Sequence, residues 1–358
     1  MIKFSEYVSL GHPDKIADYI SQYLLDRYIE QDPDTRYAVE VQIKGFKVTL
    51  GGEVSSRHQF SDNEIARYVR DAVNDIGYTR EYMDRWGSEN TICGDLLDVT
   101  VAITQQSPDI AQGVNDALET RNSGVAAEIG AGDQGMMFGY ATNETEELMP
   151  LTAVLAKRLC RELFESGIGG LDIKTQVVTD DGKITKVIVA IPLLPETSVK
   201  TVKSFVRRRV RGHYKLIING TGRYVRHSTI ADCGTTGRKL AVDFYGGACR
   251  IGGGSPWTKD GSKADLTLNL AARKLAVEYA IENRCDVFVS LACCIGKRAV
   301  DFCITDAAGN VLNEGTSDFD PETLRRNYRL DTPIYASMCR WGLFGEFQQD
   351  KAWERKNR

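Results

Sequence analysis

A pair of strand-like runs joined by a turn tetrapeptide is the feature of the sequence that most restricts its fold. The runs Lys174–Thr179 and Ile184–Ile191 are rich in β-branched residues, and Asp180-Asp181-Gly182-Lys183 lies between them. An Asp-Gly pair between two such runs is a strong signal for a tight β-hairpin. The two strands are therefore expected to be antiparallel neighbours, which favours an α+β fold over a parallel doubly wound sheet.

Other periodic segments extend this pattern along the chain. The spacing of apolar residues predicts helices at about His12–Gln31, Leu151–Glu165, Thr197–Arg211 and Ser262–Glu282, and a capping box at Ser61 begins another. Further strands are predicted at Tyr37–Ile43, Lys47–Leu50, Val99–Thr104, Met136–Tyr140, Leu240–Phe244, Val287–Ala292 and Val300–Thr305. Several strands follow one another without a helix between them, again as in α+β proteins.

Composition restricts the class of protein. A chain of 358 residues is long enough for two or three domains, and Gly, Asn and Ser content suggests boundaries near residues 112–128 and 230. The net charge of -4 argues against nucleic-acid binding through bulk charge. No apolar run is long enough for a membrane span, and no signal-peptide pattern begins the chain. Nine cysteines without a CxxC pair indicate reduced thiols in the cytoplasm, and the four histidines lack zinc-ligand spacing.

Two glycine-rich segments carry candidate binding chemistry. Gly130–Gly135 fits the pattern G-x-G-x-x-G, but no convincing strand precedes it and no helix follows, so a dinucleotide fold is rejected. Gly252–Asp265 is not a Walker A loop, yet it combines glycines with Lys259, Lys263 and Asp265, which suit phosphate and magnesium. Taken alone, the first segment is equally consistent with a structural turn, and the second with a solvated charged loop.

A third segment, Gly11–Lys15, opens the first predicted helix. Pro13 suits the first helical turn, and Asp14 suits the positive end of the helix dipole. Helix capping thus accounts for Asp14 without any catalytic role. It accounts less well for the neighbouring His12 and Lys15.

Together these segments resemble the S-adenosylmethionine synthetase family, also called methionine adenosyltransferases. The similarity is carried by Ser5–Asp18, by Gly130–Gly135 with the following MMFGYATNET, and by Asp232–Asp243 with Gly252–Asp265. Shorter matches occur at Gly51–Glu53, Gln106–Ile110 and Asp172–Lys174, all in the family's order. The segments extend from Ser5 to about residue 350, so chance agreement is negligible.

The resemblance implies three similar α+β domains with approximate threefold symmetry, here placed at residues 1–112, 113–230 and 231–358. It implies pairing through sheet faces into a homodimer or homotetramer whose active sites are shared between chains. It also implies an ATP:L-methionine S-adenosyltransferase that releases phosphate and pyrophosphate. Methionine sulfur attacks the 5′ carbon of ATP, and the bound tripolyphosphate is then hydrolysed.

Roles are carried over from the family to matching positions. The catalytic set that touches the leaving oxygen and phosphates is His12, Lys174, Arg238, Lys239 and Lys259. The substrate-binding set is Glu53, Gln106, Asp133, Asp172, Arg223, Tyr224, Asp232, Ser255 and Lys263. Asp14 and Asp265 are expected to bind magnesium, about two ions per site, and Glu40 to coordinate potassium. Gln105–Asn115 matches a mobile lid.

The chain also departs from the family pattern. Ser255–Thr258 replaces a small, flexible Ala-Phe-Ser-Gly stretch, Tyr7 replaces a small residue near the expected cation site, and Leu10 and Leu266 replace Glu and Arg. Two other functions are therefore considered: an ATP or tripolyphosphate phosphohydrolase, and a non-catalytic regulatory homologue. The retained methionine positions argue against the first, and the retained His12, Asp14 and Asp265 against the second.

Overall fold

The computed structural model describes residues 1–105, 130–131, 133–345 and 351–354. The helices in these ranges are α1 (Pro13–Gln31), α2 (Asp62–Ile76), α3 (Arg80–Trp86), α4 (Leu151–Ser166), α5 (Val199–Arg209), α6 (Ser228–Ala231), α7 (Leu240–Asp243), α8 (Ala264–Asn283), α9 (Pro321–Asn327) and α10 (Tyr335–Arg340). The strands are β1 (Ile2–Val8), β2 (Arg36–Lys44), β3 (Lys47–Ser55), β4 (Asp98–Thr104), β5 (Gly135–Ala141), β6 (Lys174–Asp180), β7 (Lys183–Ala190), β8 (Lys215–Ile218), β9 (Gly234–Thr235), β10 (Val287–Cys293), β11 (Ala299–Asp306) and β12 (Val311–Asp318).

The strands form three four-stranded sheets, ordered β9-β2-β3-β4, β1-β6-β7-β8 and β5-β10-β11-β12. Each sheet has an antiparallel hairpin at its centre, and the next strand along the chain lies beside it. That strand is parallel in the first two sheets, where helices intervene, and antiparallel in the third, where β12 follows directly. The three sheets are therefore built on the same plan, a central hairpin with one strand added at each side.

The remaining strand of each sheet comes from a distant part of the chain. β1 pairs with β6, β5 pairs with β10, and β9 pairs with β2, all antiparallel. Of the three predicted ranges, 1–112 thus supplies a strand to the central sheet, 113–230 supplies one to the carboxy-terminal sheet, and 231–358 supplies one to the amino-terminal sheet. The strand exchange is cyclic.

Helices cover the sheets and form the hydrophobic cores. α4 and α5 pack against the central sheet and α8 against the carboxy-terminal sheet. α1 is buried around nearly its whole circumference, because it lies between the amino-terminal sheet, α2 and the segment around Tyr335 and Phe344. The start of α1, which holds His12 and Asp14, is consequently enclosed by other segments.

Most predicted elements are confirmed. The hairpin is present, with β6 ending at Asp180, β7 beginning at Lys183, and Asp181 and Gly182 at φ 44° and 75° as a tight turn requires. The predicted strand Leu240–Phe244 is wrong, because Leu240–Asp243 is a helical turn. The α+β class is confirmed, whereas the three contiguous ranges stay a prediction, since every sheet draws a strand from another range.

None of the helices in the described ranges combines the length and apolar character needed to cross a membrane.

Candidate active site

His12 lies in a turn whose backbone is fixed by the start of α1. Its Nδ1 accepts a hydrogen bond of 3.1 Å from the backbone N–H of Asp14, so the ring caps the helix. Burial, followed by the charges of Lys174 and Lys239, lowers the pKa of His12 to about 2. The imidazole is therefore neutral, and because Nδ1 is an acceptor, Nε2 carries the proton and can donate to a ligand.

Asp14 lies between groups from residues 235–239, in the predicted range 231–358. One oxygen accepts a 3.0 Å hydrogen bond from the backbone N–H of Thr235 in β9, and the other lies 2.5 Å from Nζ of Lys239. Nε of Arg238 is 3.9 Å from the same carboxylate. The borrowed strand β9 thus brings two cations to the start of α1.

Asp172 and Lys174 enter from the central unit. The backbones of the two loops touch, since a Cβ on Gly11 would lie 2.4 Å from the carbonyl oxygen of Leu171. Oδ2 of Asp172 accepts a 3.2 Å hydrogen bond from the N–H of Ser228, whereas its buried Oδ1 has no partner among the described residues. Burial raises the pKa of Asp172 to about 6. An unpaired buried acceptor of this kind suits a hydroxyl group of a ligand.

We call this group the His12 cluster; it comprises His12, Asp14, Asp172, Lys174, Asp232, Arg238 and Lys239. Asp232 belongs to it because its charge acts on both His12 and Asp172. The structure therefore brings together seven of the predicted site residues, contributed by all three parts of the chain. The cluster combines three cations and a neutral N–H donor with three carboxylates, so it suits a polyanion that arrives with a metal ion to offset the carboxylate charge.

A second group lies at the start of α8, and we call it the Asp265 cluster: Asp133, Gly254, Lys259, Asp265 and Cys293. Nζ of Lys259 forms an ion pair with Asp265 in the first helical turn, where the helix dipole favours a carboxylate. A Cβ on Gly254 would lie 2.0 Å from Oδ1 of Asp265, so any larger residue there would displace that carboxylate. Sγ of Cys293 lies 3.5 Å from the carbonyl oxygen of Asp133, which places that loop at the end of β10, where the charges of Asp133 and Asp265 both act on the thiol.

The two clusters lie on neighbouring segments of one chain, since a Cβ on Gly237 would lie 3.1 Å from Cβ of Ser255, but they do not bond to each other directly. No hydrogen bond or ion pair between described residues joins a member of one to a member of the other. In each cluster one carboxylate forms an ion pair with a lysine, Asp14 with Lys239 and Asp265 with Lys259, and the described residues hold no group of three His, Cys, Asp or Glu side chains that could bind a metal ion. Asp14 and Asp265 can each contribute one oxygen to Mg²⁺, with the remaining ligands coming from phosphates and water.

Glu40 lies between the segments that carry the two clusters. One carboxylate oxygen accepts from the hydroxyl of Thr236 and the other, at 3.1 Å, from the hydroxyl of Thr258. Thr236 follows the residue whose N–H binds Asp14, and Thr258 precedes Lys259. Both oxygens of Glu40 are therefore used within the chain.

The other predicted site residues are less closely grouped. Lys263 forms a 2.7 Å ion pair with Asp260, and Ser255 accepts from the N–H of Trp257 at 3.2 Å. Arg223 is exposed and donates to the carbonyls of Pro195 and Thr197. The remaining positions are Glu53, half-buried on β3; Tyr224, half-buried beside Asp172; and Gln106, which lies outside the described residues with most of the predicted lid.

A buried network that sequence reasoning missed supports the His12 cluster. Nζ of Lys15 lies 3.1 Å from Asp18 and 2.8 Å from Asp243, and it stands 4.5 Å above the ring of Trp257. Asp18 accepts from the N–H of Gly237 and Asp243 accepts from Trp257 Nε1, both at 2.8 Å. The network fixes the loop before Arg238 and Lys239 against α1. Lys15 beside His12 and Asp14 was the one signal in the sequence.

A cavity of about 350 Å³ lies elsewhere, lined by residues that include Tyr7, Lys157 and Trp341. It contains none of the predicted site residues. The departures Leu10 and Leu266 are buried core residues, so neither adds a polar group to the two clusters.

Comparison with known proteins covers nearly the whole chain. Family models described as the N-terminal, central and C-terminal domains of S-adenosylmethionine synthetase match residues 1–108, 128–224 and 227–355. S-adenosylmethionine synthases from Pseudothermotoga lettingae and Kosmotoga olearia are each 38% identical, over 98% of this chain and 95% of theirs. The one from Desulforudis audaxviator is 35% identical over the same shares.

A comparison with solved structures agrees with these sequence matches. The structure of an unusual S-adenosylmethionine synthetase from Campylobacter jejuni superimposes with a TM-score of 0.84 at 31% identity. The match covers 99% of this chain and 96% of that one.

Proposed function

Because the chain belongs to the S-adenosylmethionine synthetase family and is a methionine adenosyltransferase, we propose that the His12 cluster holds the triphosphate of ATP while the adenosyl group is transferred. The observation that carries the proposal is that Lys174 and Lys239 act on the neutral ring of His12, while Arg238 and Lys239 lie against the neighbouring carboxylate of Asp14. This is the charge that the difficult part of the reaction requires.

Methionine sulfur is already a nucleophile, so its attack on the 5′ carbon of ATP needs no general base. A C–S bond forms, the C5′–O bond breaks, and the electron pair leaves with the triphosphate while sulfur becomes a sulfonium. Negative charge grows on the leaving oxygen beside an anionic chain. Fixed cations stabilise that charge without reorganising during the step. The bound tripolyphosphate is then hydrolysed to phosphate and pyrophosphate.

His12 acts as a neutral hydrogen-bond donor in this scheme. Its Nδ1 is fixed by the N–H of Asp14, so Nε2–H is free to donate to the leaving 5′ oxygen. Burial and the nearby lysines lower the pKa of His12 to about 2 in the chain alone, so the ring has no second proton at neutral pH. The expected contribution is stabilisation of the departing oxygen, not proton transfer to it.

Magnesium is the proposed metal. Asp14 and Asp265 would each hold one of about two ions per site, and Mg²⁺ characteristically combines one or two carboxylates with substrate phosphates. The bound ions would neutralise charge on the triphosphate. Lys239 and Lys259, which pair with these carboxylates in the chain alone, would then be released toward the phosphates.

The monovalent cation expected at Glu40 does not fit the residues as they stand. Each carboxylate oxygen already accepts a proton from a threonine hydroxyl, which supplies part of the positive charge that a cation would otherwise bring. No step of the reaction is assigned to potassium.

The substrate-binding roles follow the remaining positions. We assign the pocket for the nucleotide and methionine to Asp172, Arg223, Tyr224 and Asp232, and further substrate contact to Ser255. Methionine is assigned to Glu53, Gln106 and Lys263, and Asp133 is placed beside adenosine or the nascent sulfonium. The unpaired Oδ1 of Asp172 supports the first assignment, because a ribose hydroxyl would satisfy it. Lys263 is held by Asp260, so its ammonium is positioned in advance of substrate.

A homodimer or homotetramer with shared sites is proposed for the assembly. Neither cluster alone holds all the cations and metal ligands that the reaction uses, and the two do not bond to each other within one chain. In a twofold dimer, the His12 cluster of one chain would face the Asp265 cluster of the other. Two equivalent composite sites would result.

The cytoplasm is the proposed compartment, as it supplies ATP and methionine together. All nine cysteines are free thiols in the structure, as is usual for a reducing environment.

The deciding experiment uses purified full-length chain, ATP, methionine and magnesium, with the products identified by mass spectrometry. S-adenosylmethionine, pyrophosphate and phosphate should appear together. Phosphate release that ignores methionine would favour the phosphohydrolase instead. Activity only after another synthetase is added would favour the regulatory homologue.

A further inference from the structure

Thr258 has a backbone conformation that its side chain disfavours. Its φ is 78°, in the left-handed region that suits glycine and that β-branched residues rarely adopt. The side chain is nonetheless almost completely buried. A strained backbone at a buried position persists only where the surrounding contacts hold it.

The contacts of Thr258 identify what holds it. Its carbonyl accepts a 3.1 Å hydrogen bond from the N–H of Val39, and Lys259 bridges to Ala38, so the segment runs antiparallel beside β2. Its hydroxyl donates to Oε1 of Glu40 at 3.1 Å. Glycine would satisfy the backbone equally well, so the hydroxyl is what threonine adds.

Thr236 makes the matching contact from the other side. Its Oγ1 accepts from the N–H of Val41 at 3.2 Å and donates to Oε2 of Glu40. The carbonyl of Val41 is a second possible acceptor for this hydroxyl at 3.5 Å, but the Glu40 carboxylate is much nearer and is charged. Glu40 is thus held between two hydroxyl dipoles, one on each oxygen.

Resting on the proposed function, we propose that the hydroxyls of Thr236 and Thr258 replace a monovalent cation at Glu40, so that this enzyme works without potassium. A cation at an exposed carboxylate has two effects: it offsets negative charge and it draws surrounding oxygens into a fixed arrangement. Two donated hydroxyls supply partial positive charge and the same fixed arrangement.

The position of Glu40 explains why fixing it matters. Thr236 follows Thr235, whose N–H holds Asp14. Thr258 precedes Lys259, which pairs with Asp265. Glu40 therefore joins, through two threonines, the backbone segments that place both proposed magnesium ligands. Thr236 and Thr258 are positioning residues, because neither is assigned a contact with substrate.

The test compares wild type with Thr258→Gly in potassium, sodium and tetramethylammonium chloride at one ionic strength. Wild type should form S-adenosylmethionine at closely similar rates in all three salts. Thr258→Gly should be slow in tetramethylammonium and recover in potassium by roughly tenfold, a coupling of ordinary allosteric size. Thr258→Ser, which keeps the hydroxyl, should behave as wild type.

Thermal unfolding supplies a readout that does not depend on turnover. Potassium should raise the unfolding midpoint of Thr258→Gly relative to tetramethylammonium, since a ligand that binds only the folded chain stabilises it. It should leave the midpoint of wild type unchanged.

Two results would overturn the proposal: clear stimulation of wild type by potassium, or a potassium-dependent midpoint in wild type. A folded wild type that forms no S-adenosylmethionine in any salt would refute the proposed function instead. The midpoints would still decide whether Glu40 takes a cation.

Discussion

The hydroxyl group of Tyr82 lies 2.7 Å from Nε2 of His227, and it also accepts a hydrogen bond from the N–H of Leu171, the residue before Asp172. Nδ1 of His227 lies 2.7 Å from the carbonyl of Val225, so that nitrogen donates and Nε2 accepts from Tyr82. Tyr78 and Trp86 pack around the same ring. The neutral imidazole thus helps to fix the loop that carries Asp172.

Acid should destabilise the protein through this histidine. Burial lowers the pKa of His227 from 6.5 to about 4, so between these values the unfolded chain binds a proton that the folded chain does not. Stability consequently falls as pH falls through this window, by at most about 1.4 kcal/mol per pH unit for one proton. Between about pH 7 and about pH 5, the thermal unfolding midpoint of His227→Gln should fall by less than the midpoint of wild type.

The exposed His213 offers a matched control for that measurement. His213→Gln should keep the acid sensitivity of wild type. An equal fall of the midpoint in His227→Gln and wild type would show that His227 is protonated in both states or in neither.

Asp14→Asn should fold and should lose turnover by about 10²-fold or more, since it removes a charged contact to the proposed metal. The amide oxygen can still accept from the N–H of Thr235, which preserves the local backbone. Steady-state rates across a magnesium titration measure the loss. Asp84→Asn, an exposed change on α3, serves as control. Near-normal activity of Asp14→Asn at ordinary magnesium would remove Asp14 from the metal site.

Gly254→Ala should displace the carboxylate of Asp265, because the added Cβ would lie 2.0 Å from its Oδ1. The magnesium concentration for half-maximal rate should rise and kcat should fall. Gly220→Ala, whose Cβ would meet its nearest neighbour at 3.6 Å, should change neither quantity. Unchanged magnesium dependence in Gly254→Ala would mean that Asp265 does not bind the metal.

Two inactive variants should restore each other if the sites are shared between chains. His12→Ala and Lys259→Ala each damage both sites of a homodimer, whereas a mixed dimer gathers both changes into one site and leaves the other intact. Random mixing makes half of the dimers mixed, so about a quarter of wild-type sites should return. Activity after co-expression measures this. If mixed dimers are confirmed by mass and no activity returns, each site lies within one chain.

Local patterns predicted local structure well. The hairpin at Asp180–Lys183 and the capped start of α2 at Ser61 depend on neighbouring residues alone, and both are present. The strand predicted at Leu240–Phe244 failed because its alternation is short and distant contacts decide its shape. Asp243 is held by Lys15 and Trp257, neither of which is a neighbour in sequence.

The site could be predicted only through family resemblance. Asp14 and Lys239 are separated by 225 positions, and no periodicity links them. β1 was missed for a similar reason: Ile2 and Phe4 are exposed, and its partner β6 begins at Lys174. The contacts of Thr236 and Thr258 with Glu40 were not predicted, because no sequence pattern indicates that Thr258 has a positive φ.

The cyclic exchange of strands sets the order in which the protein can be completed on the ribosome. β1 is synthesised first, yet its partner β6 must emerge before it can pair. The amino-terminal sheet is incomplete until β9 has been synthesised, and the carboxy-terminal sheet is incomplete until β12 has been synthesised. Strand edges therefore remain unpaired until most of the chain has been made, and during that time they can pair with other chains and aggregate. A fragment cut at either predicted boundary would lack one strand of its own sheet and would carry another strand whose sheet is missing. The three units are therefore expected to fold together and not one by one.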